Sequence, residues 1–364
     1  MVQVPFLPND DAMSLTRGLR GRSCFVHVGT HKTGTTAIQR FLAGNRERLA
    51  VDGLYYPQSG WLSGLLPGHH NVVWELLGDA RFDRAAGSLG DVVAEIARVQ
   101  PRIGCLSSEN FEYLHARDDA LVTLRDAIVA IGYRPRIVVY VRLQRDYAES
   151  LYAELVKHGM QVPFASFLDD VAGDGVVRYD CGWTFRFDYT KLVSRFADVF
   201  GADAVIVRAY RDGGSPGAIV GDFLDAIEFD GPLPEGAEPV YENVRLTTGG
   251  VIDQLFRNAA AELDDVRIGA AGAELVTRHA QEASEPFHPL SARARARLTS
   301  RFNGDNARLV ERWPAAAGIA DRRGAIRLES ESARSARRLF ERAESVRARY
   351  FADARRARRA GSAG

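Results

Sequence analysis

The chain has 364 residues, enough for one large domain or two small ones, and 46% of them are apolar, which suits a globular protein with a substantial core. Basic and acidic residues number 47 each, so the formal charge cancels and gives no global pull toward nucleic acid or a membrane surface. Three widely spaced cysteines, Cys24, Cys105 and Cys181, have neither metal-ligand spacing nor the density of a disulfide framework, which fits a reducing cytoplasm.

Residues 1–22 read as an N-terminal extension. They lack the basic start and apolar run of a signal peptide. Nowhere does the sequence reach the ~18–20 apolar residues of a bilayer-spanning helix, so no stable membrane insertion is expected. "SCFVHVG" (23–29) is a β-branched and aromatic run ending in glycine, a buried strand. "TTAIQRFLAGNRERLA" (35–50) then places apolar residues at helical spacing. The stretch 56–71, "YPQSGWLSGLLPGHHN", is an irregular loop with aromatics and the histidines His69 and His70. Helical patterns follow at 71–78 and 88–100. "RIGCLSSEN" (102–110) is a second strand with a polar exit, and a helix at 119–131 leads to "PRIVVYVR" (135–142), a third. A helix at 146–159, another at 188–200, a fourth strand at 204–210 and a helix at 217–227 complete the alternation. Beyond a Pro/Gly-rich connector the pattern is helical from Leu246 on, and 334–359 carries ten arginines against three acids with a rough apolar stripe of Leu339, Phe340, Val346, Tyr350 and Phe351, a composition that reads as a solvated helix face, with a homo-oligomer contact or an anionic-partner site as the sharper alternative.

Strands alternating with helices predict an α/β fold: a central, mostly parallel sheet with flanking helices and a helical C-terminal region. The expected organisation is an α/β core at 23–230, a helical part of the same domain at 231–330, and a basic helical tail at 331–364. In such sheets ligands sit beyond the carboxyl ends of the strands. Gly29, Glu109 and Arg142 all fall at predicted strand ends, so they are expected to converge on one crevice.

The stretch "HVGTHKTGTT" (27–36) is the most informative. It joins a strand to a helix, and Gly29 and Gly34 have the spacing of the phosphate loop G-x-x-x-x-G-K-[ST]. Backbone N–H groups and the helix N-terminus of such a loop hold an anion, with Lys32, Thr33, Thr35 and Thr36 as added donors. The lysine, however, is Lys32, before the second glycine, and the position after Gly34 is Thr35. The lysine that nucleoside triphosphatases direct at the β/γ-phosphates is missing, and the second strand exits into Ser107-Ser108-Glu109 rather than into an aspartate for Mg²⁺. No metal site is expected.

"HKTGTTAIQRFL" resembles the 5′-phosphosulfate loop of sulfotransferases that use 3′-phosphoadenosine 5′-phosphosulfate (PAPS), whose form is [PHR]-K-[ST]-G-T-[TS]. "VVYVRLQRDYAESLYAELVKHG" resembles the 3′-phosphate segment of the same family, a strand ending in arginine followed by a helix with a serine eight residues on, here Arg142 and Ser150. Many members carry proline two residues after that arginine. This chain has Gln144, and its R-x-Q-x-D-[YW]-x-x-S-L-Y pattern is closer to the bacterial branch. The resemblance covers about residues 23–230. It implies a P-loop sulfotransferase fold, PAPS as co-substrate released as PAP (the desulfated nucleotide), and no metal. Lys32 would meet the bridging oxygen of the leaving group, Thr33, Gly34, Thr35 and Thr36 the 5′-phosphate, and Arg142 with Ser150 the 3′-phosphate. A base for the acceptor is also needed. Glu109 is the first choice, because carbohydrate sulfotransferases commonly use a glutamate, and His69 and His70 are its competitors. The acceptor class is a carbohydrate or small metabolite with a hydroxyl or amine, with Lys157 and His158 as candidate contacts to an anionic one. Two rivals stay open: a Mg-ATP-dependent small-molecule kinase, and a non-catalytic nucleotide-binding protein of the same fold.

Overall fold

The computed structural model describes residues 21–63, 67–179, 182–211, 216–232, 246–320 and 330–361. Cys181 and most of the connector after residue 230 lie outside them, as does the N-terminal extension up to residue 20. The chain forms two compact units. The first comprises Met1–Arg142, Tyr189–Tyr241 and Arg308–Ile319, and the second Leu143–Asp188, Glu242–Ala307 and Ala320–Gly364.

The described strands, in chain order, are β1 (Ser23–Gly29), β2 (Leu54–Tyr55), β3 (Ile103–Ser108), β4 (Arg134–Val141), β5 (Val176–Tyr179), β6 (Trp183–Arg186) and β7 (Val205–Ala209). Five of them form one sheet in the order β2-β3-β1-β4-β7, every pair parallel. β1 is central, and all of it from Cys24 to Gly29 is buried, as are β3 and most of β4. That burial explains their unbroken apolar character: a parallel sheet covered by helices on both faces has no polar side to alternate with. Phe25, Cys105, Val138 and Tyr140 pack against Ile38, Phe41 and Leu42 of the helix Thr35–Gly44 and against Phe223 and Leu224 of the helix Pro216–Ala226. The helices Asp118–Ala130 and Tyr189–Phe200 also pack on β4. Trp313 closes this unit, its indole N–H donating to the Val205 carbonyl at 3.0 Å.

The α/β class and the parallel sheet match the sequence expectation, with element ends displaced by one or two residues. The two-residue strand β2 is too short to leave a periodic trace. The antiparallel hairpin β5–β6 and the helix Phe164–Gly173 were not anticipated either. His70 is not a loop residue: it begins the helix His70–Leu77 and is buried.

In the second unit Tyr152, Phe164, Phe287 and Phe340 form an aromatic cluster, with ring centroids 4.9 Å apart for Tyr152–Phe164 and 5.0 Å for Phe287–Phe340. Phe340 belongs to the arginine-rich helix Glu331–Gly361, which buries Ala336, Leu339, Phe340 and Ala343 against its own unit. Even Arg347 is buried there, donating to the Gln161 carbonyl at 2.9 Å and side-chain oxygen at 3.0 Å. The apolar stripe legible in this helix's sequence is thus its inner side, buried at Leu339 and Phe340. Gln144 also gains an explanation. Its buried amide exchanges hydrogen bonds with Asn306 at 2.7 and 3.0 Å, pairing that proline lacks.

Candidate functional site

β1 lies between β3 and β4, although β3 and β4 are consecutive in the sheet's chain order, so the strand order reverses across it. In parallel sheets that is where ligand crevices open, beyond the carboxyl ends. The register places those ends together: Val28 is opposite Ser108, Gly29 opposite Tyr140, and Val141 opposite Ala209. The next residues along each strand, Thr30, Glu109, Arg142 and Tyr210, therefore emerge at one edge.

The turn after β1 is tightly wound. Thr30 donates from its hydroxyl to the Tyr140 carbonyl at 2.9 Å, and Thr33 from its hydroxyl to the Thr30 carbonyl at 2.5 Å. Lys32 has φ +66°, a left-handed conformation that is unusual for a side-chain-bearing residue. Arg142, 5% exposed, donates from Nη1 to the Lys32 carbonyl at 3.1 Å, and its guanidinium lies over the Tyr210 ring, 5.4 Å from the centroid. Gly34 precedes the helix Thr35–Gly44 with φ +84° and supplies no side-chain cap to the first N–H groups. Helix N-termini of this kind bind anions through those N–H groups and the helix dipole. The hydroxyl of Thr35 is buried and has no hydrogen-bond partner among the described residues. It sits close to Gly29, where an added Cβ would fall 2.2 Å from Thr35 Oγ1. Thr36 is half-buried in the same first helical turn.

β3 delivers the second half of the site. Glu109, half-buried, opens the 3₁₀ segment Glu109–Ala116, and its Oε2 accepts from the Gln39 amide at 3.3 Å. Burial pushes its carboxyl up. The opposing charges of His70 and His31, its own backbone N–H and Gln39 outweigh that and hold it below the ordinary carboxylate range. His70 Nδ1 lies 2.8 Å from the Ser108 hydroxyl. His69 is fully buried, with Nδ1 accepting from the Ser107 N–H at 3.1 Å, and burial pushes its pKa down to about 4. A ring so placed is neutral at physiological pH and already spends one nitrogen on the sheet edge. His27 is likewise a packed strand residue, fully buried, with Nδ1 2.8 Å from the Ser107 hydroxyl and its pKa pushed down to about 4.

Residues 55–59, upstream of His69, are anchored, and residues 64–66 of the expected loop lie outside the described residues. The Glu95 carboxylate accepts from the Tyr55 hydroxyl at 2.5 Å and from the N–H groups of Gln58 and Ser59 at 3.2 and 3.0 Å. Tyr56 donates to the Pro67 carbonyl at 2.7 Å and packs edge-on against His69.

Lys32, Thr33, Gly34, Thr35, Thr36, Glu109, His69, His70 and Arg142 thus all belong to the first unit. Ser150 lies in the second, half-buried on the helix Gln144–Lys157. Lys157 and His158 at that helix's end are engaged with Glu154, at 3.0 and 3.7 Å. Three site residues escaped the sequence reading: Gln39, Glu112 and Tyr210. Gln39 is a fully buried polar residue inside an apolar helical stripe, which was the one signal available. Among the described residues no group of three or more His, Cys, Asp or Glu is placed to hold a metal ion.

No protein-family model matches the chain, and no curated protein matches it in sequence. Among solved structures, a sulfotransferase from Alicyclobacillus acidocaldarius is similar at 20% identity over 69% of this chain and 96% of that one, with a TM-score of 0.36.

Proposed function

We propose that the chain is a PAPS-dependent sulfotransferase acting on a hydroxyl or amine of a carbohydrate or small metabolite. The observation that carries the reading is the loop Thr30–Thr36. It is an anion cradle at a helix N-terminus without a side-chain cap, and its lysine precedes the second glycine. The cradle suits a 5′-phosphate: the Thr35 hydroxyl is buried and lacks a partner among the described residues, and Gly29 leaves room for nothing larger than its hydrogen.

In this reading the acceptor oxygen or nitrogen attacks sulfur in line with the bridging oxygen. The sulfur–oxygen bond breaks, the acceptor proton passes to Glu109, and PAP departs with the electron pair. Negative charge develops on the bridging oxygen, and a cation directed there stabilises the transition state. Lys32 takes that role. Glu109, held below the ordinary carboxylate range, is ionised at neutral pH, the form in which a carboxylate accepts a proton. His70, with Nδ1 2.8 Å from the Ser108 hydroxyl, stands beside the base rather than in its place. Arg142 would hold the 3′-phosphate, an arginine fork being suited to that group.

The separating experiment is calorimetric titration with PAP in the presence of EDTA, and with ATP in the presence of Mg²⁺. Micromolar PAP binding without metal is expected. Clear Mg-ATP binding with no PAP binding would overturn this reading in favour of a kinase, and PAP binding without turnover of PAPS toward any acceptor would favour a non-catalytic nucleotide-binding protein.

A further inference from the structure

Glu112 has no role in the reaction just described, yet it is a fully buried carboxylate beside the anion loop. Such a group is costly unless it is paired and hydrogen-bonded. Its Oε2 accepts from the His31 backbone N–H at 3.3 Å and lies 3.0 Å from the His31 Nδ1. The other ring nitrogen of His31, Nε2, is 2.9 Å from the Tyr113 hydroxyl, and the two rings stack with centroids 5.3 Å apart. His31 immediately precedes Lys32, whose positive φ is unfavourable for any residue with a Cβ and persists only when its surroundings hold it. On the far side of Lys32, Arg142 holds the carbonyl. The backbone around Lys32 is thus clamped at both ends, by Glu112 through His31 and by Arg142.

Resting on the sulfotransferase reading, we propose that Glu112 and His31 are positioning residues that hold Lys32 and the loop N–H groups in their 5′-phosphate-binding conformation. Both nitrogens of the His31 ring are engaged within the protein, so its part is to fix the loop rather than to touch the nucleotide. Glu112 lies on β3's exit segment, three residues after Glu109. The segment that carries the base therefore also sets the loop that carries the lysine.

The test compares two ligands of the full-length protein by calorimetry: PAP, which has both phosphates, and adenosine 3′-phosphate, which lacks the 5′-phosphate. Glu112→Leu removes the acceptor with little change of shape, and Glu112→Gln keeps an acceptor oxygen. Glu112→Leu is expected to weaken PAP binding about tenfold, the effect of losing one charge-assisted hydrogen bond, with adenosine 3′-phosphate within about twofold and PAP binding largely restored in Glu112→Gln. An equal loss for both ligands, or no loss, would overturn the proposal. Should Glu112→Leu not fold, His31→Asn carries the same comparison. Failure of the wild-type protein to bind PAP would sink the sulfotransferase reading instead. In that event the ring ¹⁵N spectrum of His31 still decides the contact, which requires a proton on Nδ1; a bare Nδ1 refutes it.

Discussion

Gly29→Ala tests the architecture of the loop without assuming any ligand. The new Cβ would lie 2.2 Å from Thr35 Oγ1, with Thr33 Oγ1 and Thr35 Cβ at 3.4 Å. Only the first contact is impossible, and neither atom can easily yield: Gly29 ends the central strand, and Thr35 opens a helix whose Ile38 and Leu42 are fully buried. Forcing one extra carbon into such packing costs about 1–3 kcal/mol. Because Thr35 Oγ1 has no hydrogen-bond partner among the described residues, Thr35→Ala alone is expected to cost no more than ~1 kcal/mol. In the double variant the clashing oxygen is gone and the 3.4 Å contact to Thr35 Cβ is ordinary, so the penalty of Gly29→Ala falls away. The double-mutant cycle should then show a favourable coupling of about 1–2 kcal/mol. Urea unfolding followed by tryptophan fluorescence measures it, with Gly29→Ala lowering the midpoint by about 0.5–1 M and the double variant recovering most of that. A Gly29→Ala protein as stable as the parent, or a double variant no better than Gly29→Ala, would refute the packing argument.

Lys32→Ala should reduce transfer from PAPS by about 10²–10³-fold, the scale for removing a group that stabilises transition-state charge, while PAP affinity falls far less; single-turnover PAPS consumption beside PAP calorimetry separates the two. His27 and His69 are held neutral by burial, with pKa values of about 4 against an ordinary 6.5, so below 6.5 the unfolded chain binds protons that the folded chain refuses. Stability should therefore fall as pH drops from 6.5 toward 4, by up to about 1.4 kcal/mol per pH unit for each ring, and His69→Gln should flatten that dependence in urea titrations at stepped pH. Phe340→Ala empties the aromatic cluster of the second unit and should cost about 3–5 kcal/mol in urea unfolding, whereas Arg356→Ala on the exposed side of the same helix should cost less than about 0.5 kcal/mol.

The α/β class, the strand that ends at Gly29 and the glycine spacing of the turn after it were legible in the sequence alone. These are local properties. A continuous apolar run, a period of 3.6 and two glycines at fixed spacing each depend on neighbours within about a dozen residues. It also marked Glu109 and Arg142 as strand-end residues, because every strand of a parallel sheet sends its carboxyl end the same way. Pairing and burial were decided only by tertiary structure. Nothing local marks Gln39 as the partner of Glu109 or Glu112 as the partner of His31, since those contacts join residues 70 and 81 positions apart. His69 and His70 look equivalent in "PGHHN". Yet one is fully buried against the Ser107 backbone and the other begins a helix beside the Ser108 hydroxyl, a distinction set by where β3 ends. The arginine-rich helix shows the same division. Its arginines report the outer face and its apolar stripe the inner one, but which residues meet that stripe, Tyr152, Phe164 and Phe287 around Phe340, is settled by segments distant in the chain.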